Sequence, residues 1–230
     1  MSDTFACIAL DVADSRKIET AKLEKQLQRL KEKLNEKYSD QMIMSFTIRN
    51  GDEVIGVFRR YADGYRALDY ILANSREMAV YAGCGCGEIH QTKRIDVHTS
   101  NSPAIIYAME ARDQYLKNNR KEAAVWNKEF NNKAFFYGSP SFPYQAVNSQ
   151  FYMIRSYKKK RSKKQQQIIN EINKQPGKTY EEIGRLFNYK NPRASISNHL
   201  RAANYELVHQ MEKSLAELLD VLQDGLEGKT

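Results

Sequence analysis

The sequence predicts an α+β protein in two parts. The N-terminal part alternates strands and helices as β-α-β-β-α-β, and the C-terminal part is all helical. Three observations carry this prediction. Segments with strand-like and helix-like apolar spacing alternate over the first half of the chain. An Asn50-Gly51 pair, the strongest short hairpin signal, lies between two of the strand-like runs. Beyond residue 160, three short helical patterns follow one another with capping and turn residues between them.

Phe5–Val12 (FACIALDV) is a short apolar run bounded by an acid, as a buried strand requires. Asp14 and Ser15 offer caps to an amphipathic helix reaching Tyr38, with Ile18, Leu23, Leu27, Leu30 and Leu34 inward. Met42, Met44, Phe46 and Ile48 alternate with more polar residues, and Val54–Phe58 supplies the returning strand. Tyr61–Asn74 reads as a second helix. The run AVYAGCGCGEIH, ending at His90, reads as a strand with glycine at alternate positions. Gly83, Gly85 and Gly87 then share one face, which lets a helix approach closely, while Cys84 and Cys86 share the other. Pro103–Asn118 is a third helix. This order is the ferredoxin-like arrangement, expected as one antiparallel sheet with its helices on one face.

Residues 118–144 read as a connector rich in Asn, Lys and aromatics, seated by Trp126, Phe135 and Phe136. Ala146–Lys160 reads as a linking helix with Val147, Phe151 and Ile154 on one side. The domains expected are 1–140, a linking helix over 141–161, and 162–230. In the last of these, Lys164–Lys174 buries Ile168, Ile169 and Ile172. Thr179-Tyr-Glu-Glu182 is a capping box opening a short helix, and Asn188 takes a left-handed stop. Asn191-Pro192 starts a helix with Ile196, Leu200 and Ala203 inward. Helix, capped helix, turn, helix is the helix-turn-helix layout, with Gly184 as the small residue where two helices cross. Glu206–Leu222 closes the chain as an amphipathic helix whose apolar face suits either its own domain or a second copy.

Charge separates the parts. The chain carries 36 Lys and Arg against 28 Asp and Glu, yet residues 155–204 hold 13 basic and only 3 acidic residues. That concentration points to a polyanion-binding surface, with DNA as the expected partner. Arg193, Ser195, Ser197, Asn198, His199 and Arg201 are suited to base edges and phosphates, and Lys158, Lys159, Lys160 and Arg161 to the backbone. A homodimer would match paired half-sites. With 41% hydrophobic residues the chain is not a disordered class. No apolar run is long enough for a membrane span, and no basic-then-apolar leader opens the chain. Three cysteines are too few for a disulfide framework, so the cytoplasm is the expected location. Cys84-X-Cys86 can ligate a metal only with further ligands, of which Cys7 and His90 are at hand.

Two acids fall where this topology can join them. Asp11 ends the first strand and Asp52 sits at the hairpin tip, beside that strand. Two carboxylates and the Val12 carbonyl suit Mg²⁺, and Glu53 can add an oxygen. The loop Val12–Arg16, taken to open the first helix, offers free N–H groups to phosphate. The nucleotide-contacting set expected is Asp14, Ser15, Arg16 and Gly51. Structure alone would also use these residues, since Asn-Gly-Asp is turn chemistry and Asp14 a cap.

The segments IALDVADSR, NGDEVIGVF and AGCGCGEI resemble the N-terminal half of SatD-family proteins, as does the helix beginning Pro103-Ala-Ile-Ile-Tyr-Ala-Met-Glu-Ala-Arg112. The run KTYEEIGRLF…SISNHLRAANYEL resembles the family's C-terminus. The N-terminal half is in turn similar to the palm of nucleotidyl cyclases, GGDEF-type synthases and polymerases. That resemblance implies Mg²⁺ at Asp11 and Asp52 and a nucleotide or cyclic nucleotide as ligand. Met109 stands where cyclase-like palms place a phosphate-stabilising arginine, with Arg112 one turn further on. Binding without turnover is therefore expected, in a DNA-binding regulator with a Mg²⁺-dependent nucleotide sensor. The alternatives are a nucleotidyl cyclase or oligonucleotide synthase, and a non-catalytic dimerisation scaffold.

Overall fold

The computed structural model describes residues 3–75, 78–90, 101–130 and 132–228. Its elements are β1 (Thr4–Val12), α1 (Thr20–Tyr38), β2 (Met42–Arg49), β3 (Glu53–Phe58), α2 (Tyr61–Asn74), β4 (Val80–Glu88), α3 (Pro103–Glu110), α4 (Lys121–Asn127), β5 (Lys133–Tyr137), α5 (Tyr144–Lys159), α6 (Lys163–Lys174), α7 (Tyr180–Leu186), α8 (Pro192–Ala202) and α9 (Tyr205–Leu226). A π-helical stretch, Ala111–Lys117, continues α3. The chain divides into two compact units, Met1–Ser149 with Leu215–Thr230, and Gln150–Ser214.

In the first unit the strands form one five-stranded sheet in the order β2-β3-β1-β4-β5. Every residue of β1 is buried, as its unbroken apolar run requires of a central strand. Asn50 and Gly51 both take positive φ (50° and 88°), the geometry of a tight hairpin whose twist matches its strands. The sheet is mixed rather than antiparallel, because β5, read from sequence as connector, pairs parallel to β4 from Val80↔Lys133 to Cys84↔Tyr137.

The helices also lie on both faces, not one. Phe5, Cys7 and Ala9 of β1 and Ile55 and Val57 of β3 pack with Ala104, Ile105 and Ala108 of α3. On the opposite face, a Cβ on Gly64 of α2 would meet the Ala6 Cβ at 2.7 Å, and Phe58 meets Tyr38 of α1 edge-on. The glycine stripe explains the second layer. A Cβ on Gly83 would strike the Ala108 carbonyl, and one on Gly85 the backbone of Ala104 and Ala108, so α3 lies directly on β4. Cys7 pairs with Gly85 and so shares the α3 face. Cys84 and Cys86 face the other way, and the three thiols cannot converge on one metal ion.

The first helix starts later than its sequence signals. Asp14 sits at φ 56° and leads into a short 3₁₀ turn, Ser15–Lys17; Ile18 and Glu19 are extended before α1 begins. Neither expected cap caps. The Ser15 hydroxyl donates to Asp52 Oδ2 at 2.7 Å, and the Asp14 carboxylate pairs with Lys17 at 3.1 Å. The loop after β1 therefore does not present the open N-terminus of a long helix.

The second unit is helical. Ile168 and Ile169 of α6, Ile183 of α7, and Ile196 and Leu200 of α8 form its core together with Ala203. Ser162 and Thr179 each close a capping box, and Asn188 takes the left-handed conformation (φ 56°) after α7. A Cβ on Gly184 would lie 2.5 Å from the Pro192 Cβ, so only glycine admits this α7–α8 crossing. In α9, Val208 is buried and Leu207 is exposed.

Candidate functional site

At one end of the sheet, β1, the β2–β3 hairpin and the π-helical stretch bring charged groups together. Asp11 is opposite Glu53 in register, and the Val12 N–H donates to the Asp52 carbonyl at 3.3 Å. The topology thus gathers Asp11, Asp52 and Glu53 as the sequence reading expected. Gly51 is exposed at the hairpin tip beside them, and Asp14 and Arg16 are exposed in the loop after β1.

No local sequence signal marks the cations that join these acids. Lys117 Nζ pairs with Asp11 Oδ2 and lies 3.1 Å from Asp113 Oδ1. Arg112, 3% exposed, grips Asp113 through two bonds, Nε to Oδ1 at 2.8 Å and Nη2 to Oδ2 at 2.6 Å. Its Nη1 reaches Glu53 Oε2 at 3.3 Å. The π-helix makes this possible. With hydrogen bonds from i to i+5, residues five apart stack along one side, and Arg112 and Lys117 are five apart. Arg49, opposite Glu53 on β2, is on the same face, and its Nε and Nη1 are buried with no hydrogen-bond partner among the described residues. Met109 packs against the apolar α3 core.

Asp11, Glu53 and Asp113 are each answered by a cation. Burial raises the Asp11 carboxyl above its ordinary value, against the pull of Lys117. Burial likewise disfavours the Lys117 charge, but Asp11 and Asp113 outweigh it and hold the ammonium above its usual range. Burial opposes charge on Asp113 too, yet Arg112 and Lys117 bring that carboxyl below its ordinary value. This donor set does not fit a Mg²⁺ site. Asp11 is paired with Lys117 and Glu53 with Arg112, so a hard divalent ion would compete with resident cations for those oxygens. No cluster of three or more acids, histidines or cysteines in metal-holding geometry occurs among the described residues.

In the helical unit, α8 turns Arg193, Asn198 and Arg201 to solvent, with Ser195 and Ser197 half-buried. His199 points elsewhere: its Nε2 lies 2.8 Å from the Tyr189 hydroxyl, inside the turn preceding α8. The Glu181 carboxylate accepts from the Arg193 backbone N–H at 3.3 Å and pairs with Arg185 at 3.2 Å, fixing where α8 begins. Lys164 lies over the rings of Phe187 and Tyr189, at 4.3 and 5.4 Å. Of the basic run, Lys158 pairs with Glu212 at 2.5 Å and Arg161 Nε donates to the Ala203 carbonyl at 3.2 Å. Lys159 and Lys160 are exposed.

Together these features define an α+β protein with a five-stranded mixed sheet and a C-terminal helical unit. The model of the SatD family matches residues 5–125, more than half of the chain, and the chain belongs to that family. The match holds all three segments with the strand-one acid, the hairpin and the glycine stripe, and ends before the helical unit. No curated protein matches the chain. No helix among the described residues is long and apolar enough to cross a membrane.

Proposed function

We propose that this SatD-family protein is a DNA-binding regulator, with α6–α8 as a helix-turn-helix and α8 as the helix that enters the major groove. The observation that carries the reading is the outward side of α8, where Arg193, Asn198 and Arg201 are exposed on a helix whose inner side is held by Ile196 and Leu200. Arginine and asparagine are the residues best suited to guanine and adenine edges, and arginine also serves phosphates. The net positive charge of residues 155–204 supports it, since phosphate neutralisation supplies most of the sequence-independent affinity.

The antiparallel order β2-β3-β1-β4 supports reading the N-terminal sheet as a ferredoxin-like palm extended by one parallel strand. Its paired carboxylates favour a non-catalytic palm over a Mg²⁺-dependent enzyme or nucleotide sensor. A two-fold homodimer is the assembly this reading calls for, because paired recognition helices match paired half-sites.

The test is equilibrium binding of the full chain to a pool of genomic fragments, with and without the double substitution Arg193→Ala and Arg201→Ala. Enrichment of particular fragments by the wild type, lost in the variant while its melting temperature is kept, is expected. Equal binding by both proteins would remove α8 from the interface.

A further inference from the structure

We infer that Lys117 is the resident cation of the Asp11 carboxylate, so that this end of the sheet is a closed salt-bridge cluster that works without a divalent metal. This inference is independent of the DNA-binding reading.

Asp11 is 6% exposed at the edge of an apolar layer, and a carboxylate there needs an opposite charge close by. In a palm that charge is a metal ion; here it is an ammonium of this chain. Lys117 bridges Asp11 and Asp113, and Arg112 bridges Asp113 and Glu53, which links the acids through cations in one line. The anchoring is not a chance surface pairing. Arg112 is seated where α3 presses on β4, since a Cβ on Gly83 would lie 2.6 Å from the Arg112 backbone nitrogen. The π-helical register carries Lys117 to the same side. The glycine stripe, the π-helix and the ion pairs are therefore one construction. Glycine lets α3 approach, close approach sets Arg112, and the i to i+5 register delivers Lys117 to Asp11.

A divalent ion reaching Asp11 must first displace Lys117, which holds Asp11 and Asp113 together. A nucleoside triphosphate arriving without metal would meet the carboxylates of Asp11, Asp52, Glu53 and Asp113. The geometry disfavours both.

The test uses the full chain and two readouts. In the first, lysine acylation is followed by mass spectrometry with and without millimolar MgCl₂. Lys117 is expected to react more slowly than the exposed Lys22 and Lys25, and to do so equally in both conditions. A rise in Lys117 reactivity on adding Mg²⁺ would show the metal displacing the ammonium and overturn the inference. In the second, Mn²⁺ binding is read from the free-ion paramagnetic resonance signal. Wild type and Asp11→Asn are expected to bind alike, and Lys117→Met to gain a site that vanishes in Lys117→Met with Asp11→Asn. Asp11-dependent Mn²⁺ binding by the wild type, or a folded Lys117→Met that gains nothing, contradicts it. Should Lys117→Met fail to fold, the acylation readout decides alone.

Discussion

Gly184→Ala isolates the packing on which the helical unit depends. The added Cβ would lie 2.5, 2.6 and 2.7 Å from the Cβ, Cα and carbonyl carbon of Pro192. Carbon contacts settle near 3.5–4.0 Å, so α7 and α8 must part by about 1 Å. Two of the three obstructing atoms are backbone, and the proline ring is stiff, so no side chain can simply rotate away. A gap of that size forfeits roughly a quarter to a half of the dispersion energy along the contact, and overpacking of this kind costs about 1–3 kcal/mol. The unit rests on a small core led by Ile168, Ile183, Ile196 and Leu200. For a domain of this size, about 2 kcal/mol lowers the melting temperature by roughly 8–16 °C. Hydrogen exchange of α7 and α8 amides, followed alongside thermal melting, reads the effect where it arises. Gly177→Ala is the control, because a Cβ there meets nothing within 4 Å. If Gly184→Ala melts and exchanges like Gly177→Ala, the close α7–α8 crossing is refuted.

Arg112→Ala leaves Glu53 and Asp113 without their main cation. Asp113 keeps Lys117 and part of its hydration, so the loss is about 1–3 kcal/mol, and Arg112→Lys will not restore it, because the two-bond grip on Asp113 needs the planar fork; urea midpoints of the three proteins check this. Asp113 also sets a pH dependence. Its folded pKa is below the unfolded value, so its stabilisation is full above about pH 4 and fades as pH falls through the lower folded value. Asp11 acts in the opposite sense, so the comparison is between wild type and Asp113→Asn across about pH 2–5. The gap between their unfolding curves should close toward the acid end, and a constant gap would contradict the assignment. Cys7, Cys84 and Cys86 are all buried, and burial pushes the Cys7 and Cys86 thiols up. A thiol reagent should leave the native chain unlabelled and titrate all three after denaturation; labelling at native speed would contradict their burial.

Local chemistry was legible in the sequence, and long-range pairing was not. The Thr179 capping box, the left-handed Asn188 and the Asn50-Gly51 turn are set by residues a few positions apart, and each occurs where its signal stands. The glycine stripe was legible for the same reason, since alternate glycines on a strand leave one face bare. β5 was not, because Lys133–Tyr137 becomes a strand only by pairing with β4, far back in the chain. The start of α1 was misplaced because Ser15, a good cap by type, finds Asp52 across the sheet instead. At the acid cluster, Asp11, Asp52 and Glu53 could be brought together on paper from topology alone. Lys117 could not, since ordinary helical spacing sets residues five apart on different sides, and only the π register aligns it with Arg112. His199 looked like a base reader because nothing near it in sequence declares the Tyr189 hydroxyl as its partner.

DNA binding through α8 is the central claim, and its salt dependence is the most direct test. On a non-specific duplex, Lys159, Lys160, Arg193 and Arg201 supply about four phosphate contacts, each adding roughly −0.9 to the slope of log affinity against log salt. Between about 50 and 200 mM salt the wild type should then lose roughly 150-fold in affinity, and the Arg193→Ala, Arg201→Ala protein only about 12-fold. Fluorescence polarisation with a labelled duplex measures both. No binding at the lowest salt, or equal slopes for the two proteins, would contradict the claim.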